Sequence, residues 1–573
     1  MTPLPGPPAT CADTDPDLPD PLEQLLGDPL DPDNPLSYDA FLAADERGDP
    51  LPAGRALLDA YGLGAEFVPR ALGGRLRQAD ELARVLRPLF RRDGSLGLGH
   101  GAINLIASAP VWSAGSPEQR RMLADLLLAG GQTAGAYTEL ASGHDLVASK
   151  VRATRQGSGW SLSGRKEVIN NVTRAHAVTV LARTGEQPGS RSHSLFLLDM
   201  DSVPRDRLRF LPRFRTSGLR AIHLGGVEFD ACPLPGSALV GEEGGALESV
   251  LRAFQVTKAV LSGATLGSLD TQLRTVTAFA TGRRLYGRPV SELPHARAAL
   301  TGAFTDLLIA DCLSTTVCRA LHVLPRMTSL YAPAVKYLVP LLTQEAMDRL
   351  AVVLGARSFL REGPQGIFQK HLRDLPVGSL AHSGATVCQA TIIPQLPRPA
   401  RRSWFVTPPA PPELFRIDAP LDDLDFRRPE ITAAADDGLL AVLPDAAERL
   451  RSDPVLGPLC GRLTDSLRSL RDDCLALTPR GASPLAEPWG FELAERYALL
   501  AAAAACLGVW QYNRDRQDPF LRDTAWLAAA LRRLTVRLGH APGPEADTEA
   551  VFRELTERCE RNAGFDLIGR RLA

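Results

Sequence analysis

The sequence predicts a mostly helical α+β fold built from four consecutive regions. Three observations predict it: apolar residues recur at three- and four-residue spacing up to about residue 133, at two-residue spacing from about 134 to 240, and at helical spacing again from 241. No repeat of about 20 to 50 residues is evident, which disfavours a solenoid. With 573 residues, the chain is long enough for several hydrophobic cores.

The first region is predicted to begin with a disordered leader, residues 1–37. Acidic residues and prolines stand there where a secretory signal needs a basic start and an apolar run. Residues 38–133 form the predicted N-terminal helical domain. Ser116 followed by Pro117 is typical of a helix start within it.

The second region, residues 134–240, is predicted to be a β domain. Apolar and polar residues alternate in segments such as 177–181 and 194–198. Glycine, aspartate and asparagine turns separate these segments. The change of period places a small β domain between helical regions.

Two helical regions follow. Residues 241–394 carry long amphipathic patterns that suit an antiparallel bundle. The stretch 395–412, rich in proline and arginine, is predicted to be a linker. Residues 413–573, rich in alanine, leucine and arginine, are predicted to form a C-terminal helical extension.

Charge and composition exclude several function classes. The chain has 64 basic and 66 acidic side chains without a basic block, which argues against nucleic acid as a partner. The unbroken apolar stretch 497–510 is shorter than the about 18 residues that cross a bilayer, so no transmembrane span is predicted. Nine well-separated cysteines predict neither a disulfide framework nor a metal site, and we expect reduced thiols in the cytoplasm.

Five short motifs stand in a fixed order along the chain. They are AYTELASGHD at 136–145, WSLSGRKEVINN at 160–171, RRLYGRP at 283–289, LGARSF at 354–359, and Arg373-Asp374. Together they resemble the acyl-CoA dehydrogenase superfamily over about residues 45–395. The helical tail is similar to that of the longer, dimeric members.

The resemblance implies an FAD enzyme that dehydrogenates an acyl thioester carried by coenzyme A or an acyl carrier protein. It implies an α-helical N-terminal domain, a central β-barrel domain, a four-helix bundle and a homodimer. The electron acceptor and the acyl group stay open. Departures from the family motifs favour a specialised biosynthetic role.

The resemblance also assigns residues to the cofactor. Tyr137, Thr138, Ser142 and Gly143 stand where the family lines the isoalloxazine ring and the acyl chain. A flavin needs N–H groups and hydroxyls at its polar edge and an apolar wall over its face.

The far end of the cofactor is assigned to a neighbouring subunit. Arg283 matches the family arginine that reaches the pyrophosphate of the neighbour's FAD, a task suited to a forked, permanently charged donor. Gly355 and Ala356 match a glycine pair whose backbone approaches the adenosine across the dimer. Alanine at the second position narrows that approach.

The flavin motif departs from the family at four positions. Val168 replaces a tryptophan that shields the flavin, and Asn170 replaces a threonine that contacts its ring edge. Leu140 replaces a proline, and His144 replaces a serine. These changes indicate a divergent member with altered flavin contacts.

The catalytic base is the largest departure. Most of the family uses a glutamate, and a gapless count from Arg373-Asp374 places His382 at its position. In a minority branch the glutamate comes from the first bundle helix, but the matching stretch 254–258 has no carboxylate. His382 is therefore the candidate catalytic residue.

Three interpretations of His382 stay open. It is a neutral general base with a pKa near its ordinary value of about 6.5 beside a helix start. Alternatively, no base is needed because the flavin reduces oxygen in a monooxygenase on the same fold. In the third, His382 is a polar residue of a catalytically degenerate binding subunit. In each case the backbone N–H at 382 remains able to polarise a thioester carbonyl.

Overall fold

A computed structural model describes residues 18–573 except 188, 478–484, 486, 517 and 544–546. Its N-terminal domain is helical, with a π-helical turn, Gly97–Ala102, before the sixth helix. The helices of this domain are α1 Pro21–Leu26, α2 Tyr38–Arg47, α3 Pro52–Tyr61, α4 Ala79–Arg92, α5 Gly94–Leu96, α6 Ile103–Ala114 and α7 Pro117–Leu128.

The predicted leader is wrong from residue 18 onward. Leu22 and Leu26 of α1 are buried, and the carboxylate of Glu23 pairs with Arg91 of α4 at 2.6 Å. Two leucines at i, i+4 spacing bury one face of this short helix, and a buried ion pair fixes it. Residues 1–17 lie outside the described residues.

The β domain is one eight-stranded sheet in the order β6-β7-β3-β2-β4-β5-β8, with β1 paired in parallel to β4. One face covers a separate core that includes Trp160, Phe196 and Phe229. The strands are β1 Thr133–Ala136, β2 Arg152–Gln156, β3 Gly159–Asn170, β4 Ala177–Arg183, β5 His193–Asp199, β6 Leu208–Leu211, β7 Leu224–Leu234 and β8 Leu239–Val240.

The bundle that follows shares one continuous core with the N-terminal domain. A short hairpin, β9 Arg284–Leu285 and β10 Arg288–Pro289, joins its second and third long helices. The long helices are α8 Ala246–Ala264, α9 Leu266–Gly282, α10 Pro294–Val323 and α11 Thr328–Leu354. The shorter helices are α12 Gly366–Asp374, α13 Val377–Leu380, α14 Ala385–Ile392 and α15 Pro397–Arg402.

The stretch 395–412 is not a free linker, so this prediction is wrong. It contains α15, and the indole of the buried Trp404 donates to Asp437 at 3.0 Å. The hydroxyls of Tyr331 and Tyr497 donate to the same carboxylate. Because Asp437 ties the bundle to the extension, this proline-rich segment is part of the core.

The C-terminal extension packs against the bundle through its longest helix, α18. No transmembrane span was predicted, and two helices, α10 and α18, are long and apolar enough to cross a bilayer by length and composition alone. Their most apolar 18-residue segments are 94% and 89% buried inside the protein, as in core helices. The extension contains α16 Val442–Arg449, α17 Leu456–Ala476, α18 Pro488–Tyr512, α19 Pro519–Arg522, α20 Ala525–Arg537 and α21 Thr548–Glu560.

Candidate active site

Tyr137 joins the β domain to the bundle. It follows β1 directly, and its buried hydroxyl donates to the carbonyl of Ile106 at 3.3 Å and lies 2.8 Å from Oγ1 of Thr179. Its ring meets Phe254 of α8 edge to face, with ring centroids 5.4 Å apart. Burial raises the pKa of Tyr137 above its ordinary value, so the hydroxyl keeps its proton.

A buried ion pair holds the strand end that carries the first motif. The ammonium of Lys166 donates to Glu139 at 2.9 Å and to the carbonyl of Tyr137 at 3.1 Å. Burial alone raises the pKa of Glu139, but a hydrogen bond from Ser149 and the charge of Lys166 outweigh it and hold the pKa below its ordinary value. These two motif residues therefore have a structural role.

Thr138, Ser142 and Gly143 form the open part of the motif. Both hydroxyl side chains are half-buried and make no hydrogen bond with the described residues. Gly143 has φ +56°, and a Cβ atom placed there meets no heavy atom within 4 Å. Because the backbone N–H of Gly143 donates to the carbonyl of Glu139 at 2.8 Å, the groups that are free to contact a ligand are the two hydroxyls.

Val168 and Asn170 lie at the irregular end of β3. The register between β3 and β7 shifts between Lys166 and Ile169, so half-buried Val168 falls within this irregularity. Asn170 is only 9% exposed, yet neither its side-chain oxygen nor its nitrogen has a hydrogen-bond partner among the described residues. A buried amide left unpaired costs about 1–3 kcal/mol per group, so a polar ligand edge suits this position.

These observations fit FAD. The hydroxyls of Thr138 and Ser142 and the amide of Asn170, which have no partner among the described residues, supply the donors and acceptors that a flavin ring edge requires. The open space beside Gly143 leaves room for the ring.

His382 lies between α13 and α14, in a tight turn with two left-handed residues, His382 at φ +52° and Ser383 at φ +68°. Its ring lies 4.3 Å from the ring of Phe254, measured between centroids. Its Nε2 atom lies 2.5 Å from Oγ1 of Thr257. Because Phe254 also contacts Tyr137, the candidate base and the flavin motif meet at this one phenylalanine.

The Thr257 hydroxyl has two hydrogen-bond neighbours for its single hydrogen. Its Oγ1 atom lies 3.2 Å from the carbonyl oxygen of Phe254 and 2.5 Å from Nε2 of His382. When the hydrogen goes to the carbonyl, Oγ1 accepts from Nε2–H of His382 and the imidazole lone pair is on Nδ1; when it goes to Nε2, the proton of the neutral ring is on Nδ1. Among the described residues, Nδ1 has no hydrogen-bond partner.

The pKa of His382 is held well below 6.5, which corrects the expected value near 6.5. Burial of the ring is the largest cause, followed by the charges of Lys336 and Lys258 and a smaller effect of His144. The imidazole is therefore neutral at physiological pH. Desolvation and neighbouring cations lower this pKa, and the spacing of motifs along the chain contains no information about either.

The backbone N–H of His382 is also available. It donates to no carbonyl or side chain in the described part of the chain. A free main-chain donor beside the imidazole is placed to polarise a carbonyl oxygen, as the sequence analysis expected for this position.

Arg283, Gly355 and Ala356 lie together on a different, exposed surface. The guanidinium groups of Arg283 and Arg357 lie 5.8 and 5.3 Å from the ring centroid of Phe279. Gly355 has φ +62° with open space around it. Within the described residues, no contact joins this exposed patch to His382.

Sequence reasoning missed four residues around His382: Phe254, Thr257, Lys258 and Lys336. The family pattern requires a carboxylate in the stretch 254–258, and its absence there drew no attention to the other side chains of this stretch. The available signal was lysine itself, since only five lysines occur among 64 basic residues. At i, i+3 and i+4, Phe254, Thr257 and Lys258 share one face of α8.

Comparison with known proteins decides the family. The sequence model described as "Acyl-CoA dehydrogenase, middle domain" matches residues 134–232, and that described as "Acyl-CoA dehydrogenase, C-terminal domain" matches residues 245–395. The chain belongs to the acyl-CoA dehydrogenase superfamily. A probable acyl-CoA dehydrogenase of Mycobacterium leprae is 25% identical over 237 residues, which are 41% of this chain and 60% of that protein. The chain thus spans about 60% of the length of the curated relatives it matches.

Two solved structures share the fold of this chain. An acyl-CoA dehydrogenase complexed with FAD from Bacillus anthracis has a TM-score of 0.65 at 15% identity, over 93% of this chain and 90% of that one. The prolyl acyl carrier protein oxidase AnaB has a TM-score of 0.55 at 18% identity, over 65% of this chain and 95% of that one. The first match includes the C-terminal extension, so the extension belongs to a known form of the fold.

Proposed function

We propose that this chain is an FAD-dependent oxidoreductase that removes two hydrogens from an acyl thioester of coenzyme A or an acyl carrier protein. One observation carries the proposal: Phe254 contacts both Tyr137 of the flavin motif and His382 at the position of the family base. The similarity to acyl-CoA dehydrogenases and to an acyl carrier protein oxidase supports both carriers.

The residues divide the chemistry among them. FAD, when bound, supplies the acceptor for the hydride that leaves the β-carbon. The lone pair on Nδ1 of His382 takes the α-proton, with Thr257 holding the ring in this tautomer. The backbone N–H of His382 donates to the thioester carbonyl, which makes the α-proton more acidic.

The cofactor contacts are shared between two copies of the chain in this proposal. Thr138, Ser142, Gly143 and Asn170 hold the flavin ring. Arg283 with the turn at Gly355 and Ala356 reaches the pyrophosphate and adenosine of the partner's FAD. Their exposure, together with the absence of a described contact to His382, supports a homodimer in which this patch faces a neighbour.

The setting we propose is specialised biosynthesis in the cytoplasm. The eight described cysteines are free thiols, which suits a reducing compartment. The departures at Val168, Asn170 and the base position support a specialised substrate. The electron acceptor is left open.

Flavin content and product mass test the function. Purified protein is expected to show flavin absorbance, and anaerobic incubation with an acyl thioester is expected to bleach it and give a product lighter by two hydrogens. A product that gains oxygen in air would favour the monooxygenase, and a protein without flavin would favour the degenerate binding subunit. Variants at His382 are compared with His295→Gln as a control, which changes an exposed histidine of α10.

A further inference from the structure

Four of the five lysines are buried. Two of them form an ion pair with a carboxylate, and two do not. Lys166 pairs with Glu139 at 2.9 Å, and Lys370 pairs with Asp374 at 2.7 Å. By contrast, Lys258 and Lys336, which are 5% and 7% exposed, form no ion pair with a described carboxylate. The fold thus neutralises two buried ammonium groups and leaves two without a counter-charge.

Both uncompensated lysines lie beside His382. Lys258 follows Thr257 on α8, and the ammonium of Lys336 on α11 donates to the carbonyl of Gly378 at 2.7 Å. The ammonium of Lys258 makes no hydrogen bond with any described residue. The other titratable groups that they influence are His144, His382 and Cys388.

The pKa of each of these two lysines is lowered from its ordinary value. Burial and the charge of Lys258 lower the pKa of Lys336 to about 8, and burial lowers the pKa of Lys258. Among the described residues, the thiol of Cys388 is the only group that raises the pKa of these lysines. Keeping two buried cations a short way from each other is costly unless an anion binds between them.

We propose that the acyl group of the substrate ends in a carboxylate, which binds between the ammonium groups of Lys258 and Lys336. The proposal rests on the proposed function, because it assigns the acyl end of that same site. A carboxylate supplies the counter-charge that the described chain lacks there and accepts hydrogen bonds from both ammonium groups. The substrate class is therefore a monothioester of a dicarboxylic acid.

The test compares two pantetheine thioesters of equal chain length, glutaryl and valeryl, because pantetheine is common to coenzyme A and acyl carrier protein. Isothermal titration of the holoprotein is expected to show binding of the glutaryl thioester that is tighter by about tenfold or more. This comparison uses the wild-type protein, so it does not depend on the folding of a variant.

Variants then assign the preference to the two lysines. Lys258→Met and Lys336→Met are each expected to reduce the ratio of the two affinities toward one, whereas Lys150→Met, at an exposed lysine, leaves the ratio unchanged. The midpoint of thermal unfolding of Lys258→Met without thioester is expected to equal or exceed that of the wild type, because an unpaired buried charge is removed.

Three results would overturn the proposal. Equal affinity for the two thioesters would overturn it while leaving the proposed function intact. A preference that persists in the Lys258→Met and Lys336→Met double variant would do the same. Failure of flavin-loaded protein to bind either thioester would overturn this proposal and the proposed function together.

Discussion

The Thr257 hydroxyl lies 2.5 Å from Nε2 of His382 and 3.2 Å from the carbonyl oxygen of Phe254. In the tautomer that we propose, the hydroxyl accepts from Nε2–H and the imidazole lone pair is on Nδ1. The contact joins the first bundle helix, where a minority of the family places its base, to the turn where most of the family places it. In this proposal the helix position orients the base instead of supplying it.

Thr257→Val tests this orientation. The variant keeps the side-chain volume but removes the acceptor at Nε2, so we expect the rate of flavin reduction by a bound thioester to fall by about tenfold or more, with little change in thioester affinity. Anaerobic stopped-flow absorbance measures the rate. Thr281→Val, at an exposed threonine on α9, is the control. A wild-type rate in Thr257→Val would show that the hydrogen bond does not matter.

Asn170 separates cofactor binding from stability. Its buried amide has no hydrogen-bond partner in the described part of the chain, so Asn170→Ala is expected to leave the apoprotein as stable as the wild type while weakening FAD binding by about tenfold. Fluorescence titration with FAD and thermal unfolding measure the two effects.

Asn513 provides the contrast to Asn170. Its amide donates to Phe415 and Val509 and accepts from Ile417, so Asn513→Ala is expected to lose about 1–3 kcal/mol of stability. If Asn170→Ala loses as much stability as Asn513→Ala and keeps full FAD affinity, Asn170 does not face the cofactor.

Arg283→Ala tests the shared cofactor site. The Arg283 side chain is exposed and lies 5.8 Å from the ring centroid of Phe279, so its removal is expected to leave the free energy of unfolding within about 0.5 kcal/mol of the wild type. FAD retention during gel filtration is expected to fall, because a charged contact to pyrophosphate is lost. Arg288→Ala, at an exposed arginine in the hairpin that follows Arg283, is the control. Full retention by Arg283→Ala, or a strictly monomeric wild type, would contradict the shared site.

The pKa of Lys336 gives the substrate preference a pH dependence. Burial and Lys258 lower this pKa from 10.5 to about 8. The ammonium is charged below that pH and loses its proton above it. The preference for glutaryl over valeryl pantetheine is therefore expected to be present at neutral pH and to decline as pH rises above about 8. Titration calorimetry at several pH values measures this, and a ratio that stays constant well above pH 8 would contradict it.

Local sequence patterns predicted the helices and strands better than the segments that connect the domains. Alternation of apolar residues located the β region, whose strands run from Thr133 to Val240. The segment around Leu22 and the stretch near Trp404 were misjudged. These segments are held in place by Arg91 and Asp437, which come from other parts of the chain. A composition rich in proline does not indicate such partners.

The candidate site divides in the same way. Counting from a motif found His382, because spacing along the chain is a local property. It did not find Lys336, which lies 46 positions earlier on another helix, or the effect of that lysine on the imidazole. The convergence of α8, α11 and the turn before α14 is a tertiary property, and motif spacing contains no information about it.

Single-turnover reduction of bound flavin tests most directly whether His382 takes the α-proton. Holoprotein is mixed anaerobically with glutaryl or valeryl pantetheine, and wild type, His382→Gln, His382→Glu and the control His295→Gln are compared. Because the pKa of His382 lies well below 6.5, the wild-type rate is expected to depend little on this group between about pH 6.5 and 8 and to fall only at more acidic pH.

His382→Gln is expected to bind the thioester but to leave the flavin oxidised, and His382→Glu, which returns the family's carboxylate, is expected to recover reduction. Flavin reduction by His382→Gln at the wild-type rate would contradict the account.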